Sequence, residues 1–188
     1  MADLSQARVL ILATDGFERD ELFGPRQALL DAGAKVTLAS IKTDPIQGVV
    51  NDSEKAETIT PDLTLEAVDT EEYDALLLPG GVGNPDKMRL EERAVEIVQE
   101  FMDDDKLVAA ICHAPWLLVE ADVVDGRRMT SWPSIRTDLE NAGADVVDEE
   151  VVVDGNLVTS RKPADIPAFN KAILSALEAE FADEEAAA

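Results

Sequence analysis

The chain contains one cysteine and one histidine, and they are neighbours, Cys112 and His113. Two such residues fall side by side by chance about once in a hundred chains of 188 residues. A thiolate is a strong nucleophile, and an adjacent imidazole could accept the thiol proton. A lone cysteine is also among the most buried residue types and often packs as a small apolar side chain. The position of the pair in the chain therefore has to decide between catalysis and packing.

The segments on either side of the pair favour catalysis. Residues 107–111 form a short apolar run typical of a buried strand, and Ala114-Pro115 begins a helical stretch. This pattern predicts a strand-to-helix elbow at Cys112. A nucleophile on such an elbow is lifted to the rim of the sheet and faces the amides of the next helix, which favour a thiolate.

Apolar strands alternate with helices along most of the chain, which predicts an α/β fold with a mostly parallel sheet and helices on both faces. The predicted strands are 8–13, 34–39, 76–78, 107–111 and 127–131, and the predicted helices are 20–32, 91–102, 135–142 and 165–181. Residues 46–50 are assigned to a short hairpin or edge excursion, and Asp154-Gly155 to the turn of a hairpin over 151–159. The acidic and alanine-rich tail, 182–188, is expected to fray.

Two further features follow strands at the same edge of the predicted sheet, where parallel α/β sheets bind ligands. Glu18 lies in the loop after the first strand, and its carboxyl group could reach the end of a neighbouring strand. Gly80 and Gly81 follow Leu78 and could present backbone amides, because neither has a side chain in the way. Taken alone, the glycine pair is an ordinary turn and Glu18 an ordinary surface acid, so only their position makes them candidates.

The composition limits the possible partners. Asp and Glu number 40 against 16 Lys and Arg, giving a net charge of −24 that would repel the phosphates of a nucleic acid. Such a surface is typical of proteins from a high-salt cytoplasm. No apolar stretch is long enough for a membrane span and the first residues lack a secretory pattern, so we expect a cytoplasmic location and no membrane partner. One cysteine and one histidine cannot furnish a structural zinc site, and we expect no metal and no cofactor.

Several segments together resemble the DJ-1/PfpI superfamily, most closely its PfpI-type branch of intracellular cysteine proteases and deglycases. The resemblance covers nearly the whole chain in the right order, so we treat residues 1–188 as one domain. The segments are Asp15-Gly16-Phe17-Glu18 with Glu21-Leu22, and residues 78–81, 110–115, 130–133 and 158–169.

This resemblance implies a flavodoxin-like three-layer sandwich with Cys112 on a strained nucleophile elbow. In the family, an acid at the position of Glu18 hydrogen-bonds the cysteine sulfur and stabilises a low-pKa thiolate. The backbone amides at the positions of Gly81 and His113 contribute to an oxyanion site. The histidine acts as the base and is oriented by a glutamate of a neighbouring subunit, in whose place this chain has the shorter Asp86. A dimer or larger homo-oligomer is therefore implied.

The chain also differs from the family at two further residues, Ala114 and Trp132. Ala114 stands where the family more often has glycine, and we expect the elbow to survive this change. Trp132 stands where a smaller aromatic ring is common. We expect Trp132 either to narrow or stack across the substrate pocket, or to be a core residue at the start of a helix.

The function implied by the resemblance is a cysteine-dependent hydrolase or lyase, with activities in the family ranging from peptidase to methylglyoxal conversion and protein deglycation. Thiolate attack on a small aldehyde would give a hemithioacetal, and attack on a peptide a thioester, with His113 or Glu18 transferring protons. Class I glutamine amidotransferases share the elbow but use a second histidine, which this chain lacks. Two alternatives remain open: a stress sensor or chaperone with Cys112 oxidised to a sulfinate held by Glu18, and a non-catalytic interaction protein.

Overall fold

A computed structural model describes residues 4–187, with side chains described through residue 182. The strands are β1 Arg8–Leu12, β2 Phe17–Glu18, β3 Lys35–Ser40, β4 Ile46–Val50, β5 Glu54–Ile59, β6 Leu63–Thr64, β7 Ala75–Leu78, β8 Leu107–Ile111, β9 Arg128–Met129, β10 Asp145–Val146, β11 Val151–Asp154 and β12 Leu157–Ser160. The helices are α1 Arg19–Asp31, α2 Gly83–Met88, α3 Glu92–Asp103, α4 Pro115–Glu120, α5 Arg136–Asn141 and α6 Ile166–Ala187.

The central sheet has seven strands in the order β11-β12-β8-β7-β1-β3-β6. All neighbouring strands in it are parallel except β11 and β12, which form an antiparallel hairpin at one edge. The order reverses at β1, because the chain runs from β1 to β3 on one side and returns to β7 on the other. The predicted flavodoxin-like α/β fold is therefore confirmed.

Helices cover both faces of this sheet because successive strand side chains point to opposite faces. In β1, Leu10 and Leu12 belong to the core beneath α3, α4 and α5, whereas Val9 and Ile11 belong to the core beneath α1 and α6. A strand buried on both faces needs a continuous apolar sequence. This requirement explains why β1, β7 and β8 are recognisable as uninterrupted apolar runs.

Some predicted elements differ from the observed ones. The strand predicted over 127–131 is reduced to β9, which pairs with β10 outside the central sheet. The predicted excursion at 46–50 is β4, which joins β2 and β5 in a separate three-stranded sheet. The helix predicted to end at Phe181 continues as α6 to Ala187, so the backbone predicted to fray is helical up to that residue, and Ala188 lies outside the described residues.

Among residues 4–187, no helix combines the length and the apolar character that crossing a membrane requires.

Candidate active site

Cys112 lies on a strained elbow between β8 and α4, as predicted. Its φ of +65° is in the left-handed region, which costs a residue with a side chain about 1–2 kcal/mol. Two backbone hydrogen bonds hold the elbow: the Cys112 N–H donates to Ser160 O at 3.0 Å, and its carbonyl accepts from the Trp132 N–H at 3.0 Å. The neighbouring strand and the segment after β9 therefore fix the position of the thiol.

The thiol and the imidazole next to it are in contact. Sγ of Cys112 lies 3.2 Å from Nδ1 of His113, and the two residues are only 6% and 4% exposed. The other ring nitrogen, Nε2, lies 3.3 Å from the hydroxyl of Ser134. The ring centroids of Trp116 and Trp132 are 5.3 and 5.8 Å from that of His113. A hydroxyl and two indoles of the same chain thus restrict the orientation of the imidazole.

The acid that contacts the cysteine is Glu21, and the prediction that gave this position to Glu18 is wrong. Glu21 has no exposed surface, its carboxyl group acts on the pKa of the Cys112 thiol, and its Oε1 has no hydrogen-bond partner among the described residues. Its Oε2 accepts the Gly80 N–H at 3.0 Å. The physical reason is that α1 begins at Arg19, so that Glu21 lies in its first turn on the buried side of the helix while Glu18 precedes the helix.

Glu18 lines the same cavity but binds a different partner. Its carboxylate accepts hydrogen bonds from the backbone N–H groups of Asn51 and Asp52, at the tip of the β4–β5 hairpin. Burial, and next the nearby carboxylate of Asp52, raise the pKa of Glu18 despite these hydrogen bonds. Glu18 therefore fastens the hairpin tip beside the thiol.

The two glycines after β7 have different roles. The backbone N–H groups of Gly81 and His113 are directed at the Cys112 sulfur, next to the position where a substrate oxyanion would form. The Gly80 N–H is already bonded to Glu21, so the prediction that Gly80 presents an amide to a ligand is wrong. Gly80 is required for another reason: a Cβ atom there would lie 2.5 Å from Oε2 of Glu21 and 2.6 Å from Cβ of Cys112.

Burial determines the protonation of these groups. Burial, and next the charge of Glu18, raise the pKa of Glu21 well above its ordinary value, which favours the neutral, protonated carboxyl group. Burial also raises the pKa of the Cys112 thiol, a charged Glu21 would raise it further, and the Gly81 and His113 amides act in the opposite direction. Burial lowers the pKa of His113, an effect that Asp52 partly opposes.

A cavity of about 50 Å³ opens at the thiol. Its lining residues are Glu18, Glu21, Asn51, Asp52, Gly81, Cys112, His113, Trp132 and Pro163. Trp132 lines the cavity and stacks on His113, as one of the two expectations for it had it, whereas narrowing of the cavity stays a prediction. Asp86 is exposed on α2 and does not line the cavity, so its contribution from another subunit stays a prediction. Within the described part of the chain, no group of His, Cys, Asp or Glu side chains is arranged to hold a metal ion.

Glu21, Ser134 and Asp52 are among the residues of this site that were not predicted from the sequence. Glu21 could have been found from its helical spacing to the buried Pro25 and Leu29. Ser134 and Asp52 carry no such signal, because their loops reach His113 and the cavity only through the tertiary fold.

His113 is expected to titrate below the ordinary value of 6.5, because burial lowers its pKa. It is the only histidine, so its imidazole gives one set of proton NMR signals whose shift can be followed against pH. Because the pKa is lower in the folded state, the unfolded chain binds the His113 proton more tightly. The contribution of His113 to the free energy of unfolding is therefore lost as pH falls below about 6.5. A midpoint at or above 6.5 would contradict the burial argument.

A buried cysteine on the elbow of a flavodoxin-like α/β sandwich, with an imidazole in contact, defines the class of protein. The model of the DJ-1/PfpI family matches residues 7–176, and the chain belongs to this family.

Known proteins similar to the chain agree with this assignment. A deglycase of Pyrococcus abyssi is 46% identical over 171 residues, which cover 91% of this chain and 99% of the relative. The protein/nucleic acid deglycase 2 of Escherichia coli is 42% identical over 174 residues, covering 92% and 98%. The crystal structure of Drosophila melanogaster DJ-1beta superposes with a TM-score of 0.84 at 31% identity, covering 92% of this chain and 91% of that one. The names of these similar proteins support the assignment of the chain as an enzyme of the family.

Proposed function

We propose that the protein is a cysteine-dependent enzyme that converts methylglyoxal, and reverses its adducts on proteins, with Cys112 as the nucleophile. The observation that carries the proposal is the 3.2 Å distance between Sγ of Cys112 and Nδ1 of His113 beside a cavity of about 50 Å³. A water molecule occupies about 30 Å³ in the liquid. A cavity of this size suits a small carbonyl compound better than an extended peptide, and the deglycase names of similar proteins point the same way.

The proposed reaction needs no external oxidant or reductant. The Cys112 thiol gives its proton to His113, and the thiolate forms a C–S bond to the aldehyde carbon of methylglyoxal. The carbonyl oxygen takes that proton back from His113, which gives a hemithioacetal and leaves the imidazole neutral. His113 then moves the proton on that carbon to the neighbouring ketone carbon, and the hydroxyl proton passes to the ketone oxygen, which leaves a thioester of lactate. Water breaks the C–S bond, so that methylglyoxal and water become lactate and the thiol is restored.

The surrounding groups favour these steps. The backbone N–H groups of Gly81 and His113 are directed at the sulfur, and they would also stabilise negative charge on the substrate oxygen. The lowered pKa of His113 leaves its imidazole neutral and able to accept a proton at pH 7. The protonated carboxyl group of Glu21 would donate a hydrogen bond to the thiolate.

The test compares wild type and Cys112→Ser on methylglyoxal, a methylglyoxal-modified peptide and casein in molar salt. We expect the wild type to produce lactate and release the unmodified peptide, and Cys112→Ser to do neither, because serine lacks the acidity of a thiol. Since Cys112 is the only cysteine, one equivalent of iodoacetamide should abolish the activity as well.

Thermal denaturation of Cys112→Ser serves as the control for folding. Casein cleavage without lactate formation would support a peptidase instead. Absence of any Cys112-dependent turnover would reject the proposal and favour a sensor or an interaction protein.

A further inference from the structure

The tip of the β4–β5 hairpin forms one wall of the cavity. Asn51 and Asp52 line it and both adopt left-handed backbone conformations, with φ of +51° and +59°. The Asp52 Oδ1 accepts the Val82 N–H at 2.8 Å, and the Glu18 carboxylate accepts both tip amides. The tip is therefore fastened to the loop after β7 and to β2, which places the Asp52 carboxylate at the cavity.

Apart from Cys112 and His113, the titratable side chains that line the cavity are all acids. Its ionisable acids are Glu18, Glu21 and Asp52, and the lining residues include no Lys or Arg. Glu21 is fully buried, whereas Asp52 is exposed at the mouth. A substrate that carries a carboxylate would therefore approach Cys112 past a negative charge without meeting a compensating cation, whereas a neutral or cationic substrate would not be repelled.

We propose that Asp52 is a specificity-determining residue that makes the site prefer neutral and cationic reactants over anionic ones. This inference rests on the proposed function for its biological meaning: methylglyoxal is neutral, and adducts on Lys or Arg side chains lie on basic groups. Reactants with a free carboxylate next to the carbonyl group are disfavoured. Asp52 contributes to selection and does not take part in bond making.

The alkylation of Cys112 tests the inference without requiring turnover. Iodoacetamide is neutral and iodoacetate is an anion of nearly the same size, and the chain offers them one thiol only. The ratio of the two rates, divided by the same ratio for free mercaptoethanol, gives the charge preference of the site. Any change in the thiol pKa affects both rates and cancels in the ratio.

We expect the wild-type protein to prefer iodoacetamide over iodoacetate more strongly than free mercaptoethanol does. Asp52→Asn keeps an oxygen that can accept the Val82 N–H. It should shift the ratio toward iodoacetate by about twofold or more at about 0.15 M salt, the screened effect of one unit charge roughly 10 Å away at an effective dielectric constant of about 20. The matched control, Asp103→Asn, removes an exposed carboxylate at the end of α3, which precedes β8 and so lies at the opposite edge of the sheet. It should leave the ratio unchanged.

Measurements at about 0.15 M and about 1 M salt separate charge from shape, because the Debye length falls from about 8 Å to about 3 Å. The preference of the wild type should weaken in the higher salt. An Asp52→Asn ratio equal to that of Asp103→Asn, or a preference that high salt does not change, would overturn the inference. A shifted ratio in a protein that does not convert methylglyoxal would uphold it while rejecting the proposed function.

Discussion

Glu21→Leu is expected to lower the rate at which Cys112 reacts with iodoacetamide at pH 7 by about 10- to 100-fold. Glu21 is fully buried and its raised pKa keeps the carboxyl group protonated, so its O–H can donate to the thiolate. A hydrogen bond to a charged group contributes about 1.5–3 kcal/mol, and each 1.4 kcal/mol changes the thiolate population about tenfold. Leucine removes this donor, and the thiol then loses its proton less readily. Turnover of methylglyoxal should fall in parallel.

Two matched variants separate this role from burial and charge. Glu21→Gln keeps a donor for the sulfur and an acceptor for the Gly80 N–H, so it should retain more reactivity than Glu21→Leu. Glu18→Gln keeps an acceptor for the hairpin tip and should change the thiol reactivity much less than Glu21→Leu. The full pH dependence of the alkylation rate gives the thiol pKa in each variant. Faster alkylation in Glu21→Leu would mean that Glu21 is ionised beside the thiol.

The confusion between two acids shows where sequence reasoning reaches its limit. Glu18 and Glu21 are three residues apart at the start of α1, and both could lie near the ends of the neighbouring strands. Their assignment depends on where the helix begins, and element boundaries are the least certain part of a sequence-based prediction. Once α1 is known to begin at Arg19, Glu21 lies on the buried face with Pro25 and Leu29, which settles the choice.

Features specified by local sequence were predictable, whereas those that depend on distant contacts were not. The apolar runs of β1 and β8 and the proline at the start of α4 predicted the fold and the elbow at Cys112. The two-residue strands β2 and β6 and the six-residue helix α2 are too short to show a periodicity. The contact of Ser134 with His113, 21 residues apart, depends on how the segment after β9 packs against the elbow.

Gly80→Ala is expected to lower the free energy of unfolding by about 3 kcal/mol, because overpacking a filled core costs about 1–3 kcal/mol and here the obstructing atoms are rigid. The added Cβ would lie 2.6 Å from Cβ of Cys112 and 2.7 Å from the carbonyl oxygen of Ile111. Both atoms belong to the elbow or to β8 and cannot turn away as the end of a side chain can. The third obstructing atom is Oε2 of Glu21, at 2.5 Å, so the variant should also displace the acid from the thiol.

Gly83→Ala provides the matched control for this substitution. A Cβ at Gly83 would meet its nearest heavy atoms at 3.7–3.8 Å, which is ordinary contact, and the residue lies in α2. Alanine there should be neutral or stabilise by up to about 1 kcal/mol, because glycine is the less favourable residue in a helix. Urea denaturation in molar salt measures both variants, and iodoacetamide alkylation reports the site. If Gly80→Ala has the stability and reactivity of the wild type, β7 can move away from the elbow. The close packing of Gly80 would then have no role in holding Glu21 against Cys112.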